Sequence, residues 1–285
     1  MVEFETVPDF LLEPVIRSAL FEDLGRAGDI TTDSIIPSNQ RTRAVIAARE
    51  PGVIAGIRAA VLAFRLFDPD VVCDVELPDG VAVKEGQTVM RLVGPARALL
   101  SVERVALNFL CKLSGIATAT ASLVAAVDGY ATGVTCTRKT TPGLRALEKA
   151  AVRAGGGANH RFGLDDAVLI KDNHIALAGG VVEAVRRVRQ RVGHLVMIEV
   201  EVDRLEQLRE AMLVSPDAVL LDNMTSNQLK EAVGIVDGRA KTEASGGITL
   251  KTARAVAATG VDLLSAGWLT HSSKSLDLGL DIERH

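Results

Sequence analysis

From residue 134 to residue 267, short apolar runs alternate with stretches of helical periodicity, and no other feature of the sequence narrows the fold as much. The runs at 167–171, 195–201, 218–222, 240–245 and 262–266 read as strands, and 181–192, 205–213, 226–236 and 250–259 read as helices. Strand-helix units of this length imply parallel strands covered by helices, in either a (β/α) barrel or an open doubly wound sheet. Lys171, Glu201, Asp222, Ser245 and Gly267 each fall where a strand gives way to a loop, and the last four are spaced by 21, 23 and 22 positions. A barrel brings the C-terminal ends of its strands to one rim, so this spacing favours a barrel with a single chemical mouth.

The N-terminal part has a different character. Leu11, Leu12, Val15, Ile16, Ala19 and Leu20 have helical spacing and predict a helix closing near Gly25, after which Gly28–Asp33 reads as a loop. Between Thr42 and Val93, β-rich runs punctuated by Pro51-Gly52, Pro78-Asp79-Gly80 and Glu85-Gly86 surround one helical stretch at 57–67. The turn at 81–86 is similar to the hammerhead of lipoyl or biotinyl carriers, but Lys84 lacks their flanking residues. A helix resumes at Leu99 and runs to about Leu113, with Arg104, Asn108 and Lys112 four apart on one face. The expected division is a small α+β domain at 25–110 and a barrel domain at 111–285, with the helix of residues 1–24 packing on the barrel or on a partner.

The chain has 285 residues, 32 basic and 36 acidic, for a net charge of −4. A dedicated nucleic-acid binder would carry a basic surplus, so no nucleic-acid partner is expected. Cys73, Cys111 and Cys136 are odd in number and far apart, which gives neither a disulfide framework nor a zinc spacing. The first 25 residues carry six acidic groups, unlike a secretory signal, and no apolar run is read as reaching the roughly 18 residues that cross a bilayer. A cytoplasmic protein without a membrane partner is expected.

Against this acidic background, seven basic residues and two histidines lie between Thr137 and His174, with only four acidic residues. Arg138 and Lys139 stand just before an expected helix, with Thr141 suited to its N-cap and Pro142 to its first position. Cations gain nothing from that end of a helix dipole, so a bound anion is the better reason for them. Arg145, Lys149 and Arg153 follow at helical spacing and read as a solvated face. If Arg138, Lys139, His160, Arg161 and Lys171 share one cavity, their mutual repulsion demands a strongly anionic ligand.

Glu199 and Glu201 point to one face by strand alternation, and Asp222 closes the next strand. Such carboxylates could hold Mg²⁺, accept hydrogen bonds from sugar hydroxyls, or simply pair with the basic cluster. Ser245-Gly246-Gly247 and Ala266-Gly267 follow the last two strands, where glycines let backbone N–H groups approach a phosphate.

Thr137-Arg138-Lys139-Thr140, Gly155-Gly156-Gly157-Ala158-Asn159-His160-Arg161, Leu169-Ile170-Lys171-Asp172-Asn173-His174, Glu199-Val200-Glu201-Val202 and Leu221-Asp222-Asn223-Met224 together resemble the quinolinate phosphoribosyltransferases. The similarity runs from Gly28-Asp29-Ile30-Thr31-Thr32 to Gly279-Leu280-Asp281. It implies an α/β fold, an incomplete (β/α) barrel of fewer than eight strands with a small N-terminal α+β domain. It also implies a reaction in NAD biosynthesis: quinolinate and 5-phosphoribosyl 1-pyrophosphate give nicotinate mononucleotide, pyrophosphate and CO2, with Mg²⁺, in a homodimer with shared sites. By the same resemblance, Arg104 of a neighbouring subunit, Thr137, Arg138, His160 and Arg161 hold the quinolinate carboxylates. Lys139 and Lys171 touch both substrates, and Glu201 and Asp222 serve the ribose hydroxyls and the metal. Ser245, Gly246, Gly247, Ala266, Gly267 and Trp268 form the 5′-phosphate loops, with His271 just beyond; Glu199 matches less distinctively. The alternatives are a paralogous phosphoribosyltransferase or pyrophosphorylase acting on another acid, and a non-enzymatic anion-binding protein, which would gain nothing from the carboxylates.

Overall fold

A computed structural model describes residues 7–283, whose contacts divide into two compact units. The first takes residues up to Ala121, Thr140–Gly156 and the chain from Leu269; the second takes Ser122–Lys139 and Gly157–Trp268. In chain order the first contains α1 (Asp9–Leu24), α2 (Ile30–Ile35), β1 (Arg41–Ala48), β2 (Gly52–Val53), α3 (Ile57–Phe67), β3 (Val72–Val75), β4 (Ala82–Val83), β5 (Thr88–Pro95) and most of α4 (Ala96–Ala126). Its four-stranded antiparallel sheet has the order β12-β1-β5-β3, so β12 (Leu278–Ile282) returns from the far end of the chain to pair with β1.

Two sequence expectations change in this unit. Gly28–Asp33 is not a loop throughout, because Asp29 caps α2 by accepting the backbone N–H of Thr32 at 2.9 Å. That cap, further held by Ser101 Oγ at 3.0 Å, makes a helix of six residues that periodicity could not reveal. The helix expected at 99–113 extends to 31 residues, because Ser114, Gly115, Ala117 and Thr120 keep one side narrow enough for close packing. At Gly115 an added Cβ would lie 2.1 Å from the carbonyl oxygen of Lys274. Polar residues interrupt every apolar run in α4, yet one 18-residue window reaches a mean hydropathy of 1.5, which is long and apolar enough to cross a membrane. Half of that window is buried inside the protein, and α4 also buries Leu107, Leu110, Leu113 and Ile116, so it is a core helix.

The helix α5 (Arg145–Ala154) also belongs to the first unit and starts later than its sequence suggests. Thr141 does not cap it; instead the Thr141 N–H and hydroxyl both donate to the Glu148 carboxylate, at 3.0 and 2.6 Å, and Leu144 occupies the cap position. Lys149, expected on a solvated face, is only 1% exposed. The rotation that points Leu147, Ala151 and Val152 inward carries Lys149 with them, while Arg153 stays exposed.

The second unit holds β6 (Gly133–Thr135), β7 (Val168–Ile170), α6 (Asp172–Ala178), α7 (Val181–Arg189), β8 (Ile198–Val202), α8 (Leu205–Met212), β9 (Ala218–Asp222), α9 (Ser226–Val236), β10 (Lys241–Ser245), α10 (Ala253–Ala257), β11 (Leu263–Ser265) and the start of α11 (Trp268–His271). Its six strands are all parallel in the order β6-β11-β10-β9-β8-β7. No ladder joins β6 to β7 among the described residues, which makes the incomplete barrel of fewer than eight strands.

Register then decides which side chains share a face, because residues paired across a sheet point the same way. Glu199 pairs with Leu169, Glu201 with Leu220, Leu220 with Glu243, Asp222 with Ser245, Glu243 with Leu263, and Ser265 with Thr135. Glu199, Glu201, Asp222, Glu243, Ser245 and Ser265 therefore line one face. The opposite face presents Val200, Val202, Val219, Leu221, Ala244 and Leu264, all buried, to the helices that follow the strands. Each of these valines and leucines contributes about 1.5–3 kcal/mol by burial, which is what holds a carboxylate-bearing face in place.

Candidate active site

All six parallel strands end at the same edge, and each end carries residues singled out from the sequence. Thr137, Arg138 and Lys139 follow β6, Lys171 follows β7, Glu201 lies in β8, Asp222 ends β9, Ser245 ends β10 ahead of Gly246 and Gly247, and Ala266, Gly267 and Trp268 follow β11. His160 and Arg161 reach the same face, since His160 Nε2 lies 2.9 Å from Glu199 Oε2. Arg104, exposed on α4, and His271, whose Nδ1 is 2.5 Å from Ser272 Oγ, belong to the first unit.

The loops are shaped by their own side chains. Thr137 Oγ1 accepts the Lys139 N–H at 3.0 Å, which fixes the turn that presents the Arg138-Lys139 pair. His174 Nδ1 accepts the Lys171 N–H at 2.9 Å, so the first turn of α6 grips the residue that precedes it. Gly246 has φ +88°, and a Cβ there would sit 2.1 Å from Asn223 Oδ1. Asn223 is itself left-handed at φ 55° and donates its N–H to the Ser245 carbonyl at 2.9 Å. Glycine is required at 246 both by the backbone and by the amide side chain lying on it. Trp268 Nε1 donates to the Ile248 carbonyl at 2.8 Å and ties the two glycine loops together.

Arg138 and Arg161 are close enough to feel one another. Burial and then the neighbouring Arg138 guanidinium hold Arg161 below the usual arginine range, against opposing pulls from Asp166 and Glu199. The Nε atoms of Arg138 and Arg161 are both buried without a hydrogen-bond partner among the described residues. Two converging guanidiniums with unsatisfied donors are what an anionic ligand would satisfy. Arg161 is anchored by Nη1, which donates to the Ala167 carbonyl at 3.0 Å.

Carboxylates face this cluster. Lys171 Nζ and Glu201 Oε2 are 2.5 Å apart, and Asp222 Oδ2 accepts from Asn223 Nδ2 at 2.7 Å. The sequence passed over Glu243, which is 3% exposed and has its Oε1 3.9 Å from His160 Nε2. Burial, reinforced by the Glu199 charge, pushes Glu243 up to about 7, while His160 pulls the other way. Strand alternation held the missing signal: Glu243 stands two residues before Ser245 and so shares its face. Glu199, the least distinctive of the acidic residues in the sequence, is only 9% exposed and is the direct partner of His160.

Parallel strands whose ends converge on guanidiniums, lysines, carboxylates and two tethered glycine loops define a (β/α) enzyme for multiply anionic small molecules. Comparison with known proteins sharpens that class. The N-terminal domain of the quinolinate phosphoribosyl transferases matches residues 29–114, and their C-terminal domain matches residues 116–281. A nicotinate-nucleotide pyrophosphorylase (carboxylating) of Mycobacterium leprae is 47% identical over 287 residues, covering 98% of each chain. A probable enzyme of the same name from Bacillus subtilis is 46% identical over 271 residues, covering 95% of this chain and 93% of its own. The crystal structure of NadC from Streptococcus pyogenes superposes with a TM-score of 0.94 at 40% identity, over 98% of this chain and all of the other. The chain belongs to the quinolinate phosphoribosyl transferase family.

Proposed function

We propose that this protein transfers phosphoribosyl from 5-phosphoribosyl 1-pyrophosphate to quinolinate and decarboxylates the product, giving nicotinate mononucleotide, pyrophosphate and CO2 for NAD biosynthesis. The observation that carries this reading is the burial of two unsatisfied guanidinium Nε atoms, Arg138 and Arg161, beside the strand ends. A pyridine with two adjacent carboxylates supplies the acceptors, and the relatives' names give the reaction. Thr137, Arg138, His160 and Arg161 serve the acid end, and the loops at 245–247 and 266–268 serve the 5′-phosphate.

The chemistry needs positioning and charge rather than a nucleophile. The C1′–O bond to pyrophosphate breaks and its electron pair leaves with pyrophosphate, while Lys139 and Lys171 offset the charge that develops. The ring nitrogen lone pair then forms the C1′–N bond. When the C2–carboxylate bond breaks and CO2 departs, the electron pair stays on C2, stabilised by the adjacent positively charged ring nitrogen, and takes up a proton from solvent. Glu201 and Asp222, on one face of adjacent strands, are hard oxygen donors of the kind Mg²⁺ requires, and would hold it directly or through water. Bound there, Mg²⁺ supplies charge neutralisation to the phosphates.

The acid site is completed, on this reading, by Arg104 of a second copy in a homodimer, and the protein works in the cytoplasm. Purified protein incubated with Mg²⁺, quinolinate and the phosphoribosyl donor should release nicotinate mononucleotide and CO2 in equal amounts. Turnover with another acid but none with quinolinate would overturn the substrate assignment. Mixing inactive Arg104→Ala with inactive Lys171→Ala should restore activity through hybrid dimers, and no rescue after verified subunit exchange would contradict the shared site.

A further inference from the structure

His160 is held from both sides. Its Nδ1 accepts the backbone N–H of Arg161 at 2.8 Å, so that nitrogen carries no proton, and Nε2–H donates to Glu199 Oε2 at 2.9 Å. The ring thereby bridges a buried carboxylate and the backbone of an anion-binding arginine. Glu243 comes to the same edge of the ring from β10, two strands away from β8, with Oε1 3.9 Å from Nε2. That oxygen is buried and has no hydrogen-bond partner among the described residues, as is also true of the Arg138 and Arg161 Nε atoms and the Ser265 hydroxyl on the same face.

We propose that Glu243 is a positioning residue for quinolinate binding: with Glu199 it fixes the His160 ring, and through His160 Nδ1 it fixes Arg161. The chain of contact runs from β10 to His160, from His160 to the Arg161 backbone, and from there to the guanidinium that faces the acid. A second buried carboxyl beside Glu199 is costly as an anion, so burial favours its protonated form. Burial and the Glu199 charge push Glu243 up to about 7, which leaves a protonated fraction near neutral pH, and a carboxylic acid can donate where a carboxylate cannot. Three donors within 4.8 Å of one another also have the make-up of a divalent-cation site. The Arg138 and Arg161 guanidiniums beside them oppose a cation, and the Nε2–H already serves Glu199, so the arrangement favours positioning.

The inference rests on the proposed reaction, and its test separates the two. Wild-type turnover of quinolinate tests the reaction; variants at 243 test the inference. Glu243→Ala should raise KM for quinolinate about 10-fold or more, because the space it opens beside Nε2 frees the His160 ring to move, and leave KM for the phosphoribosyl donor within about 2-fold. Glu243→Gln, of the same shape and also able to donate, should stay within about 3-fold of wild type, whereas Glu243→Asp, one methylene short, should behave as the alanine variant does. If Glu243→Ala does not fold, the contrast between Gln and Asp decides. A readout independent of turnover is ¹⁵N NMR of the imidazoles, with His160 assigned by its disappearance in His160→Gln. Wild type should show a neutral Nε2–H ring, and Glu243→Asp should displace that signal while Glu243→Gln preserves it. Equal rises in both KM values, equal impairment by Gln and Asp, or an unmoved His160 signal would each overturn the proposal.

Discussion

The two sheets spend their charged residues in opposite ways. In the antiparallel sheet of the first unit, ion pairs lie on the wet face: Arg91 reaches Glu76 at 2.6 Å and Glu283 at 3.0 Å, and Arg49 reaches Asp281 at 2.7 Å, with all five side chains more than a third exposed. In the parallel sheet both faces are covered, and Glu199 and Glu243 are nevertheless 9% and 3% exposed. Water screens the first set, so it adds little to either stability or function. The second set is screened far less, and each charge there must answer to a partner or a ligand. Buried charge in a covered sheet is therefore a better pointer to chemistry than the number of ion pairs.

The largest expected effect is at the strand ends. Lys139→Ala should lower the rate at least about 100-fold, or about 2.7 kcal/mol, by removing a charge that stabilises the leaving group. A near-normal kcat would remove Lys139 from the reaction. Gly246→Ala comes next, because the added methyl meets Asn223 and the residue is left-handed. KM for the phosphoribosyl donor should rise about 10-fold, in line with strain of about 1–3 kcal/mol at one loop position, and an unchanged KM would separate that loop from the phosphate.

A smaller effect should appear in stability. Glu243 has a folded value raised above its unfolded one, so the folded protein holds an extra proton between about pH 4.5 and about 7. Stability tied to this group is therefore fully present below that window and lost as the pH rises through it. Thermal melting followed from pH 5 to pH 7.5 should show a fall in Tm that Glu243→Gln reduces, and parallel curves would mean that Glu243 is not the cause. The smallest effect belongs to the exposed sheet: Arg91→Ala should cost at most about 1 kcal/mol and leave kcat unchanged, as screened surface pairs do. A loss of activity there would break the contrast between the sheets.

The strand-helix alternation was legible because parallel strands and their covering helices obey two distinct periods. The strand 218–222 and the helix 226–236 appear at the bounds read from the sequence. The residues at 137–139, 171, 201, 222, 245–247 and 266–268 were legible because unusual types stood at strand ends. Other features were hidden for local reasons. The α2 helix depends on one capping carboxylate, and Lys149 is buried by a helix rotation that its spacing alone left open. Glu243 sits mid-strand between Thr242 and Ala244; alternation places it on the face of Ser245, but its burial comes only from tertiary packing.

By itself, then, the sequence determined the parallel α/β architecture and the residue types gathered at the strand ends, because periodicity and strand polarity are properties of the chain alone. Which of those residues meet was decided only by the register of six strands. Bringing Glu199 and Glu243 to the Nε2 edge of one imidazole requires β8 and β10 to be set in register through β9. Burial of that meeting point, set by tertiary packing, is what changes an ordinary glutamate into one that retains its proton near neutrality.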